Sequence, residues 1–177
     1  AAGIGLATAR AGNVIGGGDW AQDRLLPDFL RALDAAETLK IRSPHSTRPW
    51  QHVLEPLSGY LLLAERLYAD GAAFSEAWNF GPVDEDARSV QWIVERLAEM
   101  RTDVNWQCDQ TPQPHEAHYL KLDSSKAHKQ LDWQPRWRLQ TALHKTLEWH
   151  TAWRNAQDMR AVSMAQITSY QSLRRND

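Results

Sequence analysis

Short apolar runs alternate with longer amphipathic segments along most of this chain, and this alternation restricts the fold more than any other feature. The runs predicted to form strands are residues 4–11, 39–42, 50–53, 78–80 and 104–107. Helical spacing of apolar residues predicts helices over residues 24–36, 56–68, 89–97, 123–131 and 139–153. Because strands and helices alternate, the sequence predicts an α/β fold.

A glycine-rich stretch at residues 10–20 interrupts this pattern near the first residue. An apolar run ends there in the amide Asn13, three consecutive glycines and the acid Asp19. Glycines allow positive φ angles and close approach of the backbone, which suits a loop that lies against a ligand. The stretch therefore predicts one wall of a binding site. Its position, in a chain that begins with alanine, leads us to expect the C-terminal part of a longer protein.

Composition excludes several classes of protein. The 177 residues carry a net charge of −2, from 20 basic and 22 acidic side chains, and so lack the basic surplus of a nucleic-acid-binding protein. Cys108 is the one cysteine, which excludes an internal disulfide. No apolar run approaches the roughly 20 residues of a membrane span. We therefore predict a cytoplasmic protein that binds neither nucleic acid nor membrane.

Several catalytic motifs are absent from the sequence. Residues 3–8 do not match the Gly-x-Gly-x-x-Gly fingerprint of dinucleotide binding, and residues 16–18 lack the Lys-Ser/Thr of a phosphate loop. None of the 4 tyrosines is followed four positions later by lysine, so the Tyr-x-x-x-Lys pair of short-chain dehydrogenases is missing. His115 and His118 lie in a proline-containing loop without an evident third ligand. We predict no catalytic residue and no metal site in this chain.

Three polar side chains at the ends of apolar runs are candidates for ligand binding. The amide of Asn13 can orient a sugar hydroxyl or a carboxamide, or it closes an Asx-turn. Arg24 lies at a predicted helix N-terminus, where anions are favoured, or it is a solvated charge. The rigid guanidinium of Arg48 can hold a diphosphate through two hydrogen bonds, or it forms a surface ion pair.

Further candidates lie later in the chain. Asn79 stands between two aromatic residues of an apolar strand, where a buried amide needs partners and either supports the fold or faces a ligand. The loop at residues 115–119 contains His115, Glu116, His118 and Tyr119. These residues predict either a loop that recognises a nucleotide base or an ordinary polar surface loop.

Taken in order, these segments resemble the C-terminal half of the extended short-chain dehydrogenase/reductase family, in the branch that acts on nucleotide sugars. The matching segments are Arg-Ala-Gly-Asn-Val-Ile-Gly-Gly-Gly-Asp-Trp (10–20), Arg-Leu-Leu-Pro (24–27), Arg-Pro-Trp-Gln-His-Val (48–53), Trp-Asn-Phe-Gly-Pro (78–82), Pro-His-Glu-Ala-His-Tyr-Leu-Lys-Leu-Asp (114–123) and Leu-Asp-Trp-Gln-Pro (131–135). The resemblance covers nearly all of residues 5–155. Residues 13–20 and 48–56 are most similar to the dehydratases of this branch that act on CDP-glucose.

The resemblance implies a Rossmann-type fold with a smaller substrate domain. Residues 1–23 would end the NAD-binding domain and its active-site loop. Residues 24–160 would mainly form the nucleotide-sugar-binding domain, with segments that return to the Rossmann sheet, and residues 161–177 would form a C-terminal tail. The residues assigned in this way to the substrate are Asn13, Arg24, Arg48, Asn79, His115, Glu116 and Tyr119. Asn13 would also border the cofactor.

The resemblance further implies an activity. It is the NAD-dependent dehydration of CDP-glucose to a 4-keto-6-deoxy sugar, a precursor of lipopolysaccharide deoxysugars, by a homodimer. NAD would be held mainly by residues outside this chain, so we expect the chain alone to be inactive. Two alternatives stay open: another nucleotide-sugar dehydratase or epimerase, and a non-catalytic module that binds nucleotide or carbohydrate.

Overall fold

A computed structural model describes residues 4–101, 104–109, 111 and 118–173. The strands in this part of the chain are β1 (Thr8–Ala11), β2 (Asn13–Ile15), β3 (Leu39–Ile41), β4 (Thr47–His52), β5 (Ala77–Phe80), β6 (Ala87–Ser89) and β7 (Trp106–Cys108). The helices are α1 (Leu25–Ala35), α2 (Leu54–Ala69), α3 (Gly71–Phe74), α4 (Val90–Met100), α5 (Ser125–Leu131), α6 (Leu139–Arg154) and α7 (Met159–Ser172). The α/β prediction is confirmed.

The strands form three small sheets, in which parallel pairing predominates. β1 pairs with β5, β2 with β4 and β3 with β7, all in parallel, while β6 runs antiparallel to β4. Asn13 is paired with Trp50 across β2 and β4. Because Arg48 lies two positions before Trp50 on the same strand, the sheet brings two of the predicted binding residues onto neighbouring strands.

The first predicted strand is shorter in the structure, and a second strand follows it. The sequence predicts one strand over residues 4–11, but β1 begins only at Thr8, and after Gly12 the start of the glycine-rich stretch forms β2. A β-carbon at Gly12 would overlap the backbone oxygen of Pro49 in β4. The chain therefore changes from the β1–β5 sheet to the β2–β4 sheet where β4 leaves no room for a side chain.

The larger hydrophobic core lies between α1, α4, α6 and the strands β2 to β4. Its fully buried members include Phe29, Ile93, Val94, Leu97 and Leu143. These side chains recur at helical spacing on their helices, which is why the helix predictions match α1, α4 and α6 closely. As predicted, Ser89 caps α4, since its hydroxyl accepts a hydrogen bond from the Trp92 N–H at 3.2 Å.

A second, smaller core packs α2 and α5 against β5. Trp78, Phe80 and Trp133 are buried there, with the Phe80 and Trp133 rings edge to face at 5.1 Å between centroids. Gly59 lets α2 lie directly on the Phe80 ring. Edge-to-face aromatic pairs of this kind add to the burial of apolar area.

The C-terminal helix α7 is anchored through a buried carboxylate at the start of α2. Glu55 is fully buried and accepts hydrogen bonds from the Trp137 N–H at 2.7 Å, the Arg136 N–H at 3.0 Å and the Tyr170 hydroxyl at 2.8 Å. Burial raises the pKa of the Glu55 carboxyl, and the three donors oppose that rise. Burial also raises the pKa of Tyr170, so its phenol is a donor at neutral pH.

Two elements differ from the sequence predictions. β4 begins at Thr47 rather than residue 50. The C-terminal segment, for which no helix was predicted, contains α7, and Asp158 caps this helix by accepting hydrogen bonds from the N–H groups of Arg160 and Ala161. Within the described residues, the helices are too short or too polar to cross a membrane.

Candidate functional site

A cleft of about 690 Å³ opens between the α1–β3 unit and the sheet formed by β2 and β4. Buried apolar side chains form its floor, and these are Ile15, Leu26, Leu30, Leu39, Ile41 and Trp50. The same side chains belong to the larger hydrophobic core, so the rest of that core packs against the floor of the cleft. A cleft of this size with an apolar floor and polar groups at its rim has the character of a small-molecule site.

Three of the predicted binding residues converge on this cleft. Asn13 reaches it from β2, Arg24 from the N-terminus of α1, and Arg48 from β4. Arg24 is exposed, whereas Arg48 is only 8% exposed and donates from Nη1 to the Thr47 oxygen at 2.9 Å. Two cations and an amide around one cavity provide complementary groups for a phosphorylated ligand with hydroxyl groups.

The glycine-rich stretch forms one side of the cleft and packs against α6 from behind. Gly16 and Asp19 line the cleft. A β-carbon at Gly17 would overlap the indole of Trp149, and Gly18 has a φ of 79° beside the same ring. Contact with Trp149 therefore requires glycine at position 17, and the positive φ favours glycine at position 18, whether or not a ligand is bound.

Segment 118–120 extends the sheet beside Arg48. Tyr119 forms a parallel bridge with Thr47, supported by hydrogen bonds from the Thr47 N–H to the His118 oxygen at 2.9 Å and from the Leu120 N–H to the Thr47 oxygen at 3.1 Å. The Tyr119 ring is exposed and does not line the cleft. The structure thus places Tyr119 one position from Arg48 along the ladder, without bringing its side chain into the cavity.

Asn79 is not part of the cleft. It lies on β5 opposite Arg10 of β1, and its amide donates from Nδ2 to the Asp123 oxygen at 3.1 Å. This contact joins β5 to the segment that precedes α5, and it favours the alternative in which Asn79 supports the fold and does not face a ligand. The predicted residues His115 and Glu116 lie outside the described residues.

The cleft also contains charged residues that the sequence analysis did not select. Lys40 and Arg42 approach from β3 and its end, and Asp23 approaches from the turn before α1. Lys40 stands between two buried residues of a three-residue strand. A signal was present, because Arg42 is the last residue of the predicted strand 39–42.

A buried histidine lies next to Gly16. His52, paired with Ile15 in the sheet, is buried, with its ring centroid 4.8 Å from that of Trp137. Its Nδ1 accepts a hydrogen bond from the Leu54 N–H at 3.3 Å. Burial, assisted by the charge of Lys145, lowers the pKa of His52 to about 4. The imidazole is therefore neutral at physiological pH.

Comparison with known proteins shows what the chain is similar to. Over 171 residues, or 96% of its length, the chain is 56% identical to the CDP-glucose 4,6-dehydratase of Salmonella typhimurium LT2. The chain is a relative of that dehydratase. It spans about half of the relative's length, 48%. No family model matches the chain.

Solved structures show the fold. The chain resembles a UDP-glucuronic acid 4-epimerase from Bacillus cereus, bound to UDP-glucuronic acid and NAD, with a TM-score of 0.71 and 18% identity over 84% of this chain and 46% of that one. It also resembles the dTDP-glucose 4,6-dehydratase of Bacillus anthracis strain Ames, bound to NAD, with a TM-score of 0.63 and 16% identity over 82% and 44%. The chain thus shares the fold of about half of each of these two proteins.

Proposed function

We propose that this chain is the C-terminal half of an NAD-dependent CDP-glucose 4,6-dehydratase and supplies the nucleotide-sugar-binding side of its active site. The enzyme would convert CDP-glucose to CDP-4-keto-6-deoxyglucose in the cytoplasm, as a homodimer. The observation that carries the proposal is the convergence of Asn13, Arg24 and Arg48 on one cleft, in a chain 56% identical to such a dehydratase.

In this proposal each cleft residue has a binding role. Arg24 and Arg48 would neutralise the diphosphate, with the buried Arg48 fork fixed in direction by the strand that carries it. Asn13, at the start of β2, would orient a sugar hydroxyl. Tyr119, beside Thr47, would border the nucleotide from outside the cleft. Asn79, His115 and Glu116 are also proposed to border the nucleotide, on the basis of the resemblance alone.

Among the described residues, the glycine turn at 16–18 does not have the form of a dinucleotide site. The Gly16–Gly18 turn is separated from the first residue of α1, Leu25, by a six-residue segment, whereas a dinucleotide-binding glycine turn opens directly into a helix. NAD, which accepts and returns a hydride when bound to such enzymes, would therefore be held mainly by residues outside this chain. Residues 1–23 would be the end of that cofactor domain, residues 24–160 mainly the substrate domain, and residues 161–177 the tail.

An activity assay of the complete protein tests the proposal. The reading frame upstream of Ala1 is sequenced, the complete protein is produced, and CDP-glucose with NAD⁺ is supplied. The expected result is the alkali-induced absorbance of a 4-keto sugar. Turnover of another nucleotide sugar in place of CDP-glucose would assign a sister dehydratase or epimerase, and nucleotide-sugar binding without turnover would assign a non-catalytic module.

Replacement of Arg48 by lysine tests its role in the same assay. Lysine keeps the charge but loses the bidentate fork, so we expect KM for the nucleotide sugar to rise about tenfold while kcat changes less than about twofold. Arg88→Lys is the matched control, because Arg88 pairs with Arg48 across β4 and β6 but does not line the cleft. Equal KM values for the two variants would remove Arg48 from the diphosphate site.

A further inference from the structure

An ion pair lies at the rim of the cleft between two residues that both line it. Arg42 Nη2 and Asp23 Oδ1 are 2.9 Å apart, and the side chains are 47% and 79% exposed. Asp23 ends the turn before α1, and Arg42 follows β3, which returns alongside that helix. The pair therefore joins the two ends of the α1–β3 unit at the opening of the cavity.

The carboxylates of the cleft are not equivalent. Asp19 accepts a hydrogen bond from the Ala21 N–H at 3.0 Å, and Asp28 is paired with Arg31, which does not line the cleft. Asp23 is the acid that forms a described ion pair with a cation of the cleft. It therefore opposes the attraction of an anion to Arg42 more directly than the other two acids do.

One other acid affects the same cation. Asp109, which follows β7, has its pKa lowered mainly by hydrogen bonds from Thr111 and, to a smaller degree, by Lys40 and Arg42. It does not line the cleft. The positive charges of Lys40 and Arg42 are therefore partly neutralised from outside the cleft by Asp109, and Asp23 is the cleft-lining acid that is paired with Arg42.

We propose that Arg42 is a further anion-binding residue of the cleft, for which Asp23 and a diphosphate compete. This proposal rests on the proposed binding of a nucleoside diphosphate group in the same cavity. Exposed ion pairs contribute little net free energy, so a dianion that brings several acceptor oxygens can displace one carboxylate. Arg42 would then add a third guanidinium to Arg24 and Arg48.

The two partners of the pair are expected to have opposite effects on affinity, and this difference is the test. Binding of inorganic pyrophosphate and of CDP-glucose to the complete protein, produced as for the activity assay, is measured by titration calorimetry. Arg42→Gln should weaken binding about tenfold, since a charge-assisted hydrogen bond is lost. Asp23→Asn should tighten it about threefold, since the competitor is neutralised. Asparagine suits this position because Asp23 has a φ of 60°.

A double variant separates competition for Arg42 from a general change in charge. If Asp23 acts through Arg42, Asp23→Asn should have no effect on affinity in the Arg42→Gln background. The same threefold tightening in both backgrounds, or unchanged affinity in Arg42→Gln, would overturn the proposal. Arg96→Gln is the control, because Arg96 forms an exposed ion pair with Glu99 on α4 and does not line the cleft. Thermal melts check that each variant is folded.

The probes distinguish this proposal from the proposed function. If the variant pattern holds while CDP-glucose binds no tighter than UDP-glucose, the assignment of Arg42 stands and the cytidine-specific function fails. If CDP-glucose binds selectively while Arg42→Gln has no effect, the function stands and the assignment of Arg42 fails. Absence of binding of either probe to both the wild type and Asp23→Asn overturns the assignment of Arg42.

Discussion

Glu55→Ala is expected to lower the free energy of unfolding by about 4 kcal/mol, because three donors lose their shared acceptor. These donors are the N–H groups of Arg136 and Trp137 and the hydroxyl of Tyr170. Each buried donor without a partner costs about 1–3 kcal/mol. Urea unfolding of the 177-residue chain at pH 7 measures the loss.

Milder variants and a surface control complete this test. Tyr170→Phe removes one of the three donors and is expected to cost about 1 kcal/mol. Glu65→Ala, on the exposed side of the same helix, should change stability by less than about 0.5 kcal/mol. A loss for Glu55→Ala no larger than that for Glu65→Ala would show that the carboxylate does not anchor α7.

Stability is expected to fall by about 3 kcal/mol as the pH is lowered from about 6.5 to about 4, on account of His52. The pKa of His52 falls from 6.5 to about 4 on folding, and a difference of this size is worth about 1.4 kcal/mol for each pH unit. Between these values the unfolded state binds more protons, so stability rises with pH and is fully present above about 6.5. Urea unfolding at several pH values measures the effect.

The contribution of His52 is obtained by difference. His52→Asn keeps an acceptor near the Leu54 N–H but does not titrate, so the wild type should lose about 3 kcal/mol more than this variant on acidification. Glu55 acts in the opposite direction, because a raised pKa in an acid makes stability fall as pH rises above its unfolded value. That contribution is shared by both proteins and cancels. An equal loss in the two proteins would show that the imidazole is solvated.

The local spacing of apolar residues was enough to predict most of the helices and the faces that they bury in the larger core. The spacing of Phe29, Leu30 and Leu33 predicts α1, and Ser89 predicts the start of α4, because caps and periodicity are local properties. The break at Gly12 was not predicted. It depends on the backbone of Pro49, which is distant in sequence and becomes adjacent only when β2 and β4 pair.

The candidate site was predicted in part. Asn13, Arg24 and Arg48 each stand beside an apolar run in the sequence, and in the structure they lie at or near the starts of β2, α1 and β4. Asn79 also lies in such a run, but its partner is the Asp123 backbone. Arg42 stands at the end of a predicted strand, but nothing in the sequence indicates that Asp23 is its partner. They meet because α1 and β3 together reverse the chain direction, which no short motif encodes.

The contact between Gly17 and Trp149 has a consequence for how sequence motifs are interpreted. Because a side chain at position 17 would overlap that indole, a descendant of this protein that lost all affinity for its ligand would still retain glycine there. Retention of Gly17 therefore reflects the position of α6 as well as any ligand. The presence of this motif in a distant homologue is evidence of shared architecture, and evidence of shared chemistry must come from the arginines opposite it.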